Sequence, residues 1–393
     1  MLGIEYRPKS FKEVIAQTNA VKALQNGITN KTIGSSLAIL GPSGVGKSTL
    51  ARVVAMALQC ENPQKDENGL VEPCGKCPHC LDIINGKFNK DILVLNGNDL
   101  VQDRMRELEE ELSYDPLISN QKIVIIEESQ LIPTQSSKSL LVLLEKNLPH
   151  ATIILTSTSE EKFANSYAKD NSSRERNALR SRLSVYKLSQ PTSEQIADYM
   201  FKLFATEIDP DGKLPDACME MIPYIAQNSK GNIRQGLNDM SVMLDSECYN
   251  KSDLIELLGY QDDEKESDMV ISLLYKDKTA LKYISESNDV SGNFNYWYKI
   301  LSDNALRDMI GEPFGQSWKE KNYAKMKASG NILTLYEAFN RTQQLCGNYF
   351  NPNVLISMLY EYYNGKQEPK RLVESASPQQ DAIVKKVKKV VAN

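Results

Sequence analysis

A glycine-rich stretch at residues 41–49 has the spacing of a phosphate-binding loop. It reads Gly-Pro-Ser-Gly-Val-Gly-Lys-Ser-Thr and matches the pattern G-x-x-x-x-G-K-[S/T]. Glycines let successive backbone N–H groups point at one phosphate, and the following helix start adds positive potential. The lysine would place a charge on the β- and γ-phosphates and the serine a hydroxyl on Mg²⁺. The sequence therefore predicts a nucleotide site built from Gly41, Pro42, Ser43, Gly44, Val45, Gly46, Lys47, Ser48 and Thr49.

Two adjacent carboxylates follow the apolar run Ile123–Ile126. Hydrolysis at a phosphate-binding loop needs one carboxylate for Mg²⁺ and usually a second to polarise water. We expect Glu127 to serve Mg²⁺ together with Ser48, and Glu128 to act on water. A solvated strand end is the alternative interpretation. Because the usual first residue of such a pair is aspartate, the extra methylene of Glu127 could change the metal geometry or slow turnover.

Three cysteines at positions 74, 77 and 80 have the spacing of ligands to a tetrahedral zinc ion. We expect Cys60 to be the fourth ligand, with His79 as its rival. The alternative is a group of reduced thiols without a metal. A closed site of Cys60, Cys74, Cys77 and Cys80 leaves no open position, so its role would be structural. Cys218, Cys248 and Cys346 are interpreted as ordinary core residues.

Short apolar runs alternate with helical stretches over residues 1–190, which predicts a parallel sheet with crossover helices. From residue 192 to about 365 the pattern is helical, and Thr192 is a candidate N-cap. An acidic stretch at 261–268 suggests a boundary between two helical domains. Residues 366–393 resemble a linker that ends in a basic amphipathic helix at 382–391, a candidate for partner docking. The predicted strands are 37–40, 92–95, 123–126, 152–156 and 184–188.

The composition is that of a globular protein without a marked charge excess. The chain has 393 residues, a net charge of −5, 41% hydrophobic and 25% charged residues. Any DNA contact must therefore use a local surface. No apolar run approaches the ~20 residues that span a bilayer, and the first residues lack a secretory signal. We expect a cytoplasmic protein with no membrane partner.

Seven stretches, in order, resemble the gamma/tau subunits of the bacterial DNA polymerase III clamp loader, which are AAA+ ATPases. The phosphate-binding loop, the cysteine module and the carboxylate pair are three of them. Leu183 and Glu127 depart from the family pattern, as does an insertion at 164–177. The stretch at 293–301 is closer in kind to a phage clamp loader, so a phage-encoded or divergent version is expected. The other four are EYRPKSFKEVIAQTNAVKAL (5–24), LTSTSE (155–160), LRSRL (179–183) and GNIRQGL (231–237).

The resemblance implies a role for further residues. Arg182 would be an arginine finger that acts on a neighbouring subunit's nucleotide. Thr158 would be the sensor 1 group, and Arg234 the sensor 2 arginine that acts in cis. Tyr6, Arg7 and Pro8 would lie near the adenine pocket. For each arginine a surface salt bridge is the alternative.

The resemblance also implies an architecture and partners. It places an AAA+ ATPase domain at 1–190 with a zinc module at about 60–80, a helical lid at 191–260 and a helical collar at 261–365. The implied cofactors are ATP, Mg²⁺ and structural Zn²⁺. The implied partners are a sliding clamp, the other subunits of a ring or spiral pentamer, and primer-template DNA. Arg104 and Arg106 are candidate phosphate contacts, and a solvated helix is the alternative because four glutamates lie close to them in the sequence. The alternatives are an ATP-binding scaffold subunit with little hydrolysis and another AAA+ motor that acts on DNA.

Overall fold

The computed structural model describes residues 2–146, 148–158, 182–260, 263–277, 280–282, 284, 290–310, 320–346 and 350–364. It separates the chain into two compact units, Met1–Tyr260 and Gln261–Asn393. The four-part division into ATPase domain, lid, collar and tail stays a prediction. The predicted linker and basic helix, residues 366–393, lie outside the described residues.

The first unit contains a five-stranded sheet in which each neighbouring pair is parallel. Its strands are β1 Ser36–Leu40, β4 Ile92–Asn96, β5 Lys122–Glu127, β6 Ala151–Ser157 and β7 Ser184–Lys187; β2 Gln64–Lys65 and β3 Val71–Glu72 form a separate hairpin.

The strand order in the sheet is β4-β5-β6-β1-β7, so β6 lies between the strand of the phosphate-binding loop and the strand that ends in Glu127. The predicted parallel sheet with a phosphate-binding loop is confirmed, and each predicted strand lies within one or two residues of the observed one.

Helices cover both faces of this sheet, because its central strands are apolar on both sides. On one face the helix that follows the phosphate-binding loop buries Leu50, Val53 and Val54 against the sheet, in a core that continues to the cysteine module. On the other face Leu140 and Leu143 pack beside Leu108. The helices of this part are α1 Leu2–Glu5, α2 Thr18–Thr29, α3 Lys47–Gln59, α4 Pro78–Ile84, α5 Gln102–Glu111 and α6 Thr134–Glu145.

A group of four helices completes the first unit. The predicted N-cap at Thr192 is confirmed, because its side chain accepts from the backbone N–H of Gln195 in a capping box. These helices share a core around Ile196, Met200 and Ile222, against which Leu2 and Tyr6 also pack. Leu2 and Tyr6 therefore pack with the four-helix group, although they precede the sheet in the sequence. The four helices are α7 Ser193–Leu203, α8 Asp216–Asn228, α9 Ile233–Asp245 and α10 Lys251–Leu258.

The second unit is helical in its described part. Its core contains Trp297 and a stack of Phe294 on Phe339 with ring centroids 5.1 Å apart. Among the described residues of the whole chain, no helix is both long and apolar enough to span a membrane. The helices are α11 Asp263–Leu274, α12 Val290–Ile310, α13 Glu320–Ala328, α14 Ile332–Cys346 and α15 Pro352–Asn364.

Candidate functional site

The phosphate-binding loop connects β1 to α3 and requires glycine for steric reasons at two positions. A Cβ on Gly41 would come within 2.7 Å of the carbonyl oxygen of Leu188. Gly44 has φ +74°, and a Cβ there would lie 1.8 Å from Oδ1 of Asn232. The carbonyl of Gly44 also accepts from the backbone N–H of Ile233, at 3.1 Å. The loop is thus tied directly to the start of α9, the helix that carries Arg234.

Lys47 is held inside the loop with only 6% of its surface exposed. Its ammonium donates to the carbonyl oxygen of Pro42 at 2.7 Å. Burial lowers the pKa of Lys47, and Arg234 lowers it further, whereas the charge of Glu128 raises it. A buried cation that has a carbonyl but no carboxylate within ion-pair distance among the described residues is suited to receive an anion.

A cleft of about 810 Å³ opens beside this loop and gathers many of the predicted residues. Tyr6, Arg7, Pro8, Glu128 and Arg234 line it together with residues 43–49. Gly41, Pro42, Glu127, Thr158 and Arg182 do not line it. The lining residues that sequence reasoning missed are Gly3, Val14, Ile15, Tyr199, Ile233 and Leu237.

The missed residues form the apolar side of the cleft. Tyr199 donates its hydroxyl to the carbonyl oxygen of Tyr6 at 3.0 Å, which joins the N-terminal segment to α7. Four of the missed residues lie in stretches that carry the resemblance: Val14 and Ile15 in residues 5–24, and Ile233 and Leu237 in residues 231–237. Gly3 and Tyr199 lie outside those stretches, and only the fold brings Tyr199 of α7 to the cleft.

Glu127, the last residue of β5, and Glu128, which follows it, have different surroundings. Glu128 has a left-handed backbone (φ +51°) and lines the cleft. A Cβ on Gly97 would come within 2.4 Å of the Glu128 carbonyl oxygen, so glycine at 97 permits this bend. Glu127 instead faces Arg52 of α3, with Oε1 and Nη2 3.7 Å apart. Arg52 was not predicted as a site residue, although it lies one helical turn after Ser48 on the same face of α3.

Thr158 and Arg182, the predicted sensor 1 and finger residues, do not line the cleft, whereas Arg234, the predicted sensor 2 residue, does. The backbone N–H of Thr158, at the end of β6, donates to Oε1 of Gln130 at 3.4 Å. Arg182 forms an ion pair with Glu145, the last residue of α6. Residues 159–181, which include most of the stretch LRSRL and the whole insertion, lie outside the described residues. The roles of Thr158 and Arg182 stay predictions.

The four predicted cysteine ligands come together. The sulfur atoms of Cys60, Cys74, Cys77 and Cys80 all lie within 4.8 Å of one another. Cys60 directly follows α3, and Cys77 is the N-cap residue of α4, in which Cys80 lies. The cluster therefore sits where the helix of the phosphate-binding loop ends. Four soft sulfur donors in this arrangement suit Zn²⁺ in a closed tetrahedral site.

The protonation of the cysteines differs with their surroundings. Burial opposes ionisation of Cys74, but the backbone N–H groups of Lys76 and Cys77 donate to its sulfur and lower its pKa to about 6. Burial raises the pKa of Cys80 and of Cys60. His79, the rival fourth ligand, lies outside the sulfur cluster; its Nε2 is 3.4 Å from a carboxylate oxygen of Glu61.

The candidate DNA-contacting arginines are engaged on their own helix, α5. Arg104 forms ion pairs with Glu107 and Glu111, and Arg106 with Asp103. These pairs favour the interpretation of α5 as a solvated helix, which the sequence analysis left open.

Comparison with known proteins gives a consistent set of relatives. A family model described as "DNA polymerase III, delta subunit" matches residues 16–166. DNA polymerase III subunit gamma of Buchnera aphidicola subsp. Acyrthosiphon pisum is 26% identical over 306 residues, 77% of each chain. Subunit tau/gamma of Haemophilus influenzae is 24% identical over 306 residues, 77% of this chain and 41% of its own length. The resemblance to the gamma/tau subunits is confirmed.

Among solved structures, a RuvB Holliday junction branch migration motor of Thermotoga maritima covers 74% of this chain and 88% of its own, with 18% identity and a TM-score of 0.43. The phosphate-binding loop and the cleft beside it have the geometry to hold the phosphates of a nucleotide. The cysteine cluster of this chain has the donor set to hold zinc.

Proposed function

We propose that this gamma/tau-like chain is an ATPase subunit of a replicative sliding-clamp loader. In this proposal, ATP binding and hydrolysis drive the opening of a ring-shaped clamp and its loading on primer-template DNA. The observation that carries the proposal is the four-cysteine cluster built onto the end of the P-loop helix, in a chain that aligns with gamma subunits over 77% of its length. The module is one of the stretches by which the chain resembles the gamma/tau subunits.

The residues of the cleft take separate parts in the proposed reaction. Lys47 and the loop backbone would bind the β- and γ-phosphates, and Ser48 of the cleft, with Glu127 at the end of β5, would hold Mg²⁺. Glu128, which lines the cleft, orients the attacking water as a general base. Arg234 approaches the nucleotide of its own subunit from α9. Mg²⁺, when bound, neutralises charge that develops on the phosphates.

Other proposed contacts lie outside the cleft. Arg182 would leave Glu145 and reach the nucleotide of a neighbouring subunit in the pentamer, which makes hydrolysis depend on assembly. The proposed partners are a sliding clamp, the other loader subunits and primer-template DNA, in the cytoplasm of a bacterium or of a phage-infected cell.

The contact between Arg52 and Glu127 favours a second candidate function. A carboxylate that stays paired with an arginine is less available to Mg²⁺, which would give an ATP-binding scaffold subunit with little hydrolysis. The two candidates differ in whether Glu128 of this subunit matters for turnover.

The deciding experiment changes Glu128→Gln in this subunit alone within the assembled loader. An ATPase role predicts a loss of this subunit's turnover by about 10²- to 10⁴-fold with ATP binding preserved. Glu110→Gln, an exposed carboxylate of α5, is the matched control. Unchanged turnover of the complex, with ATP still bound by the chain, would instead establish the scaffold role.

A further inference from the structure

Arg7 occupies an unusual place in the first unit. It is half-buried and lines two clefts: the nucleotide cleft, and a second cleft of about 370 Å³ that contains Thr49 and Arg52. Among the described residues, no carboxylate lies within ion-pair distance of it. An arginine presents five N–H donors and is always charged, so a half-buried one without an ionic partner is a costly arrangement unless an anion joins it.

The charged groups that act on Arg7 lie on the helix after the phosphate-binding loop, on α9 and at the end of β5. Burial lowers the pKa of Arg7, and Arg52 and Arg234 lower it further by their like charge, whereas Glu127 raises it. Arg52 lies one turn beyond Ser48 on α3, and Glu127 ends β5. Of these residues, Arg7 and Arg234 line the nucleotide cleft together with Lys47, whereas Arg52 lines the second cleft and Glu127 lines neither of the two.

The apolar side of the cleft is made by other residues of the same N-terminal segment. Tyr6 packs with the helical core of α7–α10, and its carbonyl accepts from the Tyr199 hydroxyl. Val14 and Ile15 line the cleft as well. A flat apolar base fits these surfaces, and Arg7 is the charged residue that the same segment contributes to the lining of this cleft.

We propose that Arg7 binds the phosphate chain of the nucleotide rather than its adenine. The inference rests on the proposed nucleotide-binding function and assigns to Arg7 a part that the sequence did not reveal. A planar guanidinium can bind two phosphate oxygens at once, whereas Lys47 acts as a single point charge. Arg7 adds its positive charge to those of Arg52 and Arg234, and a bound polyphosphate would relieve the repulsion among the three.

The test compares the affinities of adenosine, AMP, ADP and ATP for the full chain and for Arg7→Ala, in buffer without added Mg²⁺ so that ATP is not consumed. Binding is measured by calorimetry, with adenosine in competition against ADP. Removal of Arg7 should weaken ADP or ATP by about 10- to 100-fold, the effect of a lost hydrogen-bonded ion contact. Adenosine affinity should change by less than about twofold. Arg7→Lys should restore part of the loss, because it keeps the charge but not the fork.

Lys9→Ala is the matched control. This substitution removes the same charge from the same segment, but the side chain of Lys9 is exposed and lines only the second of the two clefts. It should leave all four affinities unchanged. The midpoint of thermal unfolding of nucleotide-free Arg7→Ala should not fall, since the change removes a repelled charge.

The outcomes separate this inference from the function on which it rests. An equal loss for adenosine, ADP and ATP would place Arg7 at the base and overturn the inference, as would no loss at all. A lower unfolding midpoint with equal losses would show a structural role, and would overturn it too. If the unaltered chain bound none of these nucleotides, the proposed function itself would fail.

Discussion

Arg52 of the P-loop helix α3 and Glu127 at the end of strand β5 face each other, with Nη2 and Oε1 3.7 Å apart. The Nε of Arg52 and the Oε1 of Glu127 are buried, and neither has a hydrogen-bond partner among the described residues. The guanidinium also lies over the Phe88 ring, 5.3 Å from its centroid. Charge attraction without a hydrogen bond therefore joins the two side chains. The proposed Mg²⁺ carboxylate thus already has a cation beside it.

Replacing Arg52 should make this carboxylate more available to Mg²⁺. In Arg52→Met the apolar contact with Phe88 is largely kept, but a positive charge near the metal site is lost. We expect the Mg²⁺ concentration for half-maximal nucleotide binding to fall by about 3- to 10-fold. Titration of Mg²⁺ at a fixed concentration of a non-hydrolysable ATP analogue measures it.

Arg106→Met is the control for this change, because its ion pair with Asp103 is exposed and distant in sequence from the loop. A higher Mg²⁺ requirement in Arg52→Met would mean that Arg52 orients Glu127 rather than competing with the metal.

Arg182, which pairs with Glu145, should matter for the activity of the assembled complex but little for the stability of the chain. Both side chains are partly exposed, so Arg182→Ala should change the free energy of unfolding by less than about 1 kcal/mol. In the assembled complex, the rate of ATP hydrolysis at the interface that Arg182 serves should fall by about 10³-fold, as for other arginine fingers. ATP affinity of the isolated chain should stay the same. If the isolated chain loses activity in proportion to the complex, the finger acts in cis and the assignment is wrong.

The cysteine cluster predicts one zinc ion per chain and a structural role for it. Cys80 is fully buried in the cluster, so Cys80→Ser should release the metal and lower the midpoint of thermal unfolding by at least about 5 °C. Metal content and thermal unfolding are measured on the same sample. Cys248→Ser, a change outside the cluster in the same unit, should alter neither. Full zinc content in Cys80→Ser would contradict the assignment.

Asp91 predicts a pH-dependent contribution to stability. Its buried carboxylate accepts from the backbone N–H groups of Leu117, Ile118 and Ser119 at 2.7–3.1 Å, and so fixes a loop whose Leu117 and Ile118 side chains are exposed. Burial raises the pKa of Asp91, but these N–H groups outweigh it and hold the pKa below its usual value. Asp91→Asn should lower the free energy of unfolding by about 2–3 kcal/mol at pH 7.

The sign of the pH effect follows from this lowered pKa. The contribution of Asp91 is complete above the unfolded pKa of about 3.9 and is lost as the pH falls through the lower native pKa. The stability difference between the unaltered chain and Asp91→Asn should therefore shrink below about pH 4. Urea unfolding at pH 7 and pH 3 measures it, with Asp103→Asn, an exposed carboxylate, as control. A difference that does not depend on pH would contradict this explanation.

Local spacing was sufficient to predict the features whose chemistry lies within a short stretch. The loop at 41–49 and the cysteines at 74, 77 and 80 carry their geometry in the sequence, and continuous apolar runs indicated each strand of the sheet. Cys60 could be added because one helix, α3, joins it to the loop.

Contacts between distant segments could not be predicted in the same way. The approach of Asn232 to Gly44 and the pairing of Arg52 with Glu127 depend on how α9 and β5 meet the P-loop helix. The N-terminal motif predicted a general position for Tyr6 and Arg7 near the nucleotide. Only the fold shows that Tyr6 packs with the helical core whereas Arg7 lines both clefts. Nothing in the spacing of Glu127 and Glu128 indicated that one would face Arg52 and the other the cleft.

The most direct test of the proposed function is ATP hydrolysis by the purified chain, alone and with the loader subunits, clamp and primed DNA of its own replicon. The proposal predicts slow hydrolysis by the chain alone and strong stimulation only when the partner subunits, clamp and primed DNA are all present. This stimulation should disappear in Arg182→Ala. A rate that does not respond to clamp and primed DNA would contradict a clamp loader and would point to another AAA+ motor.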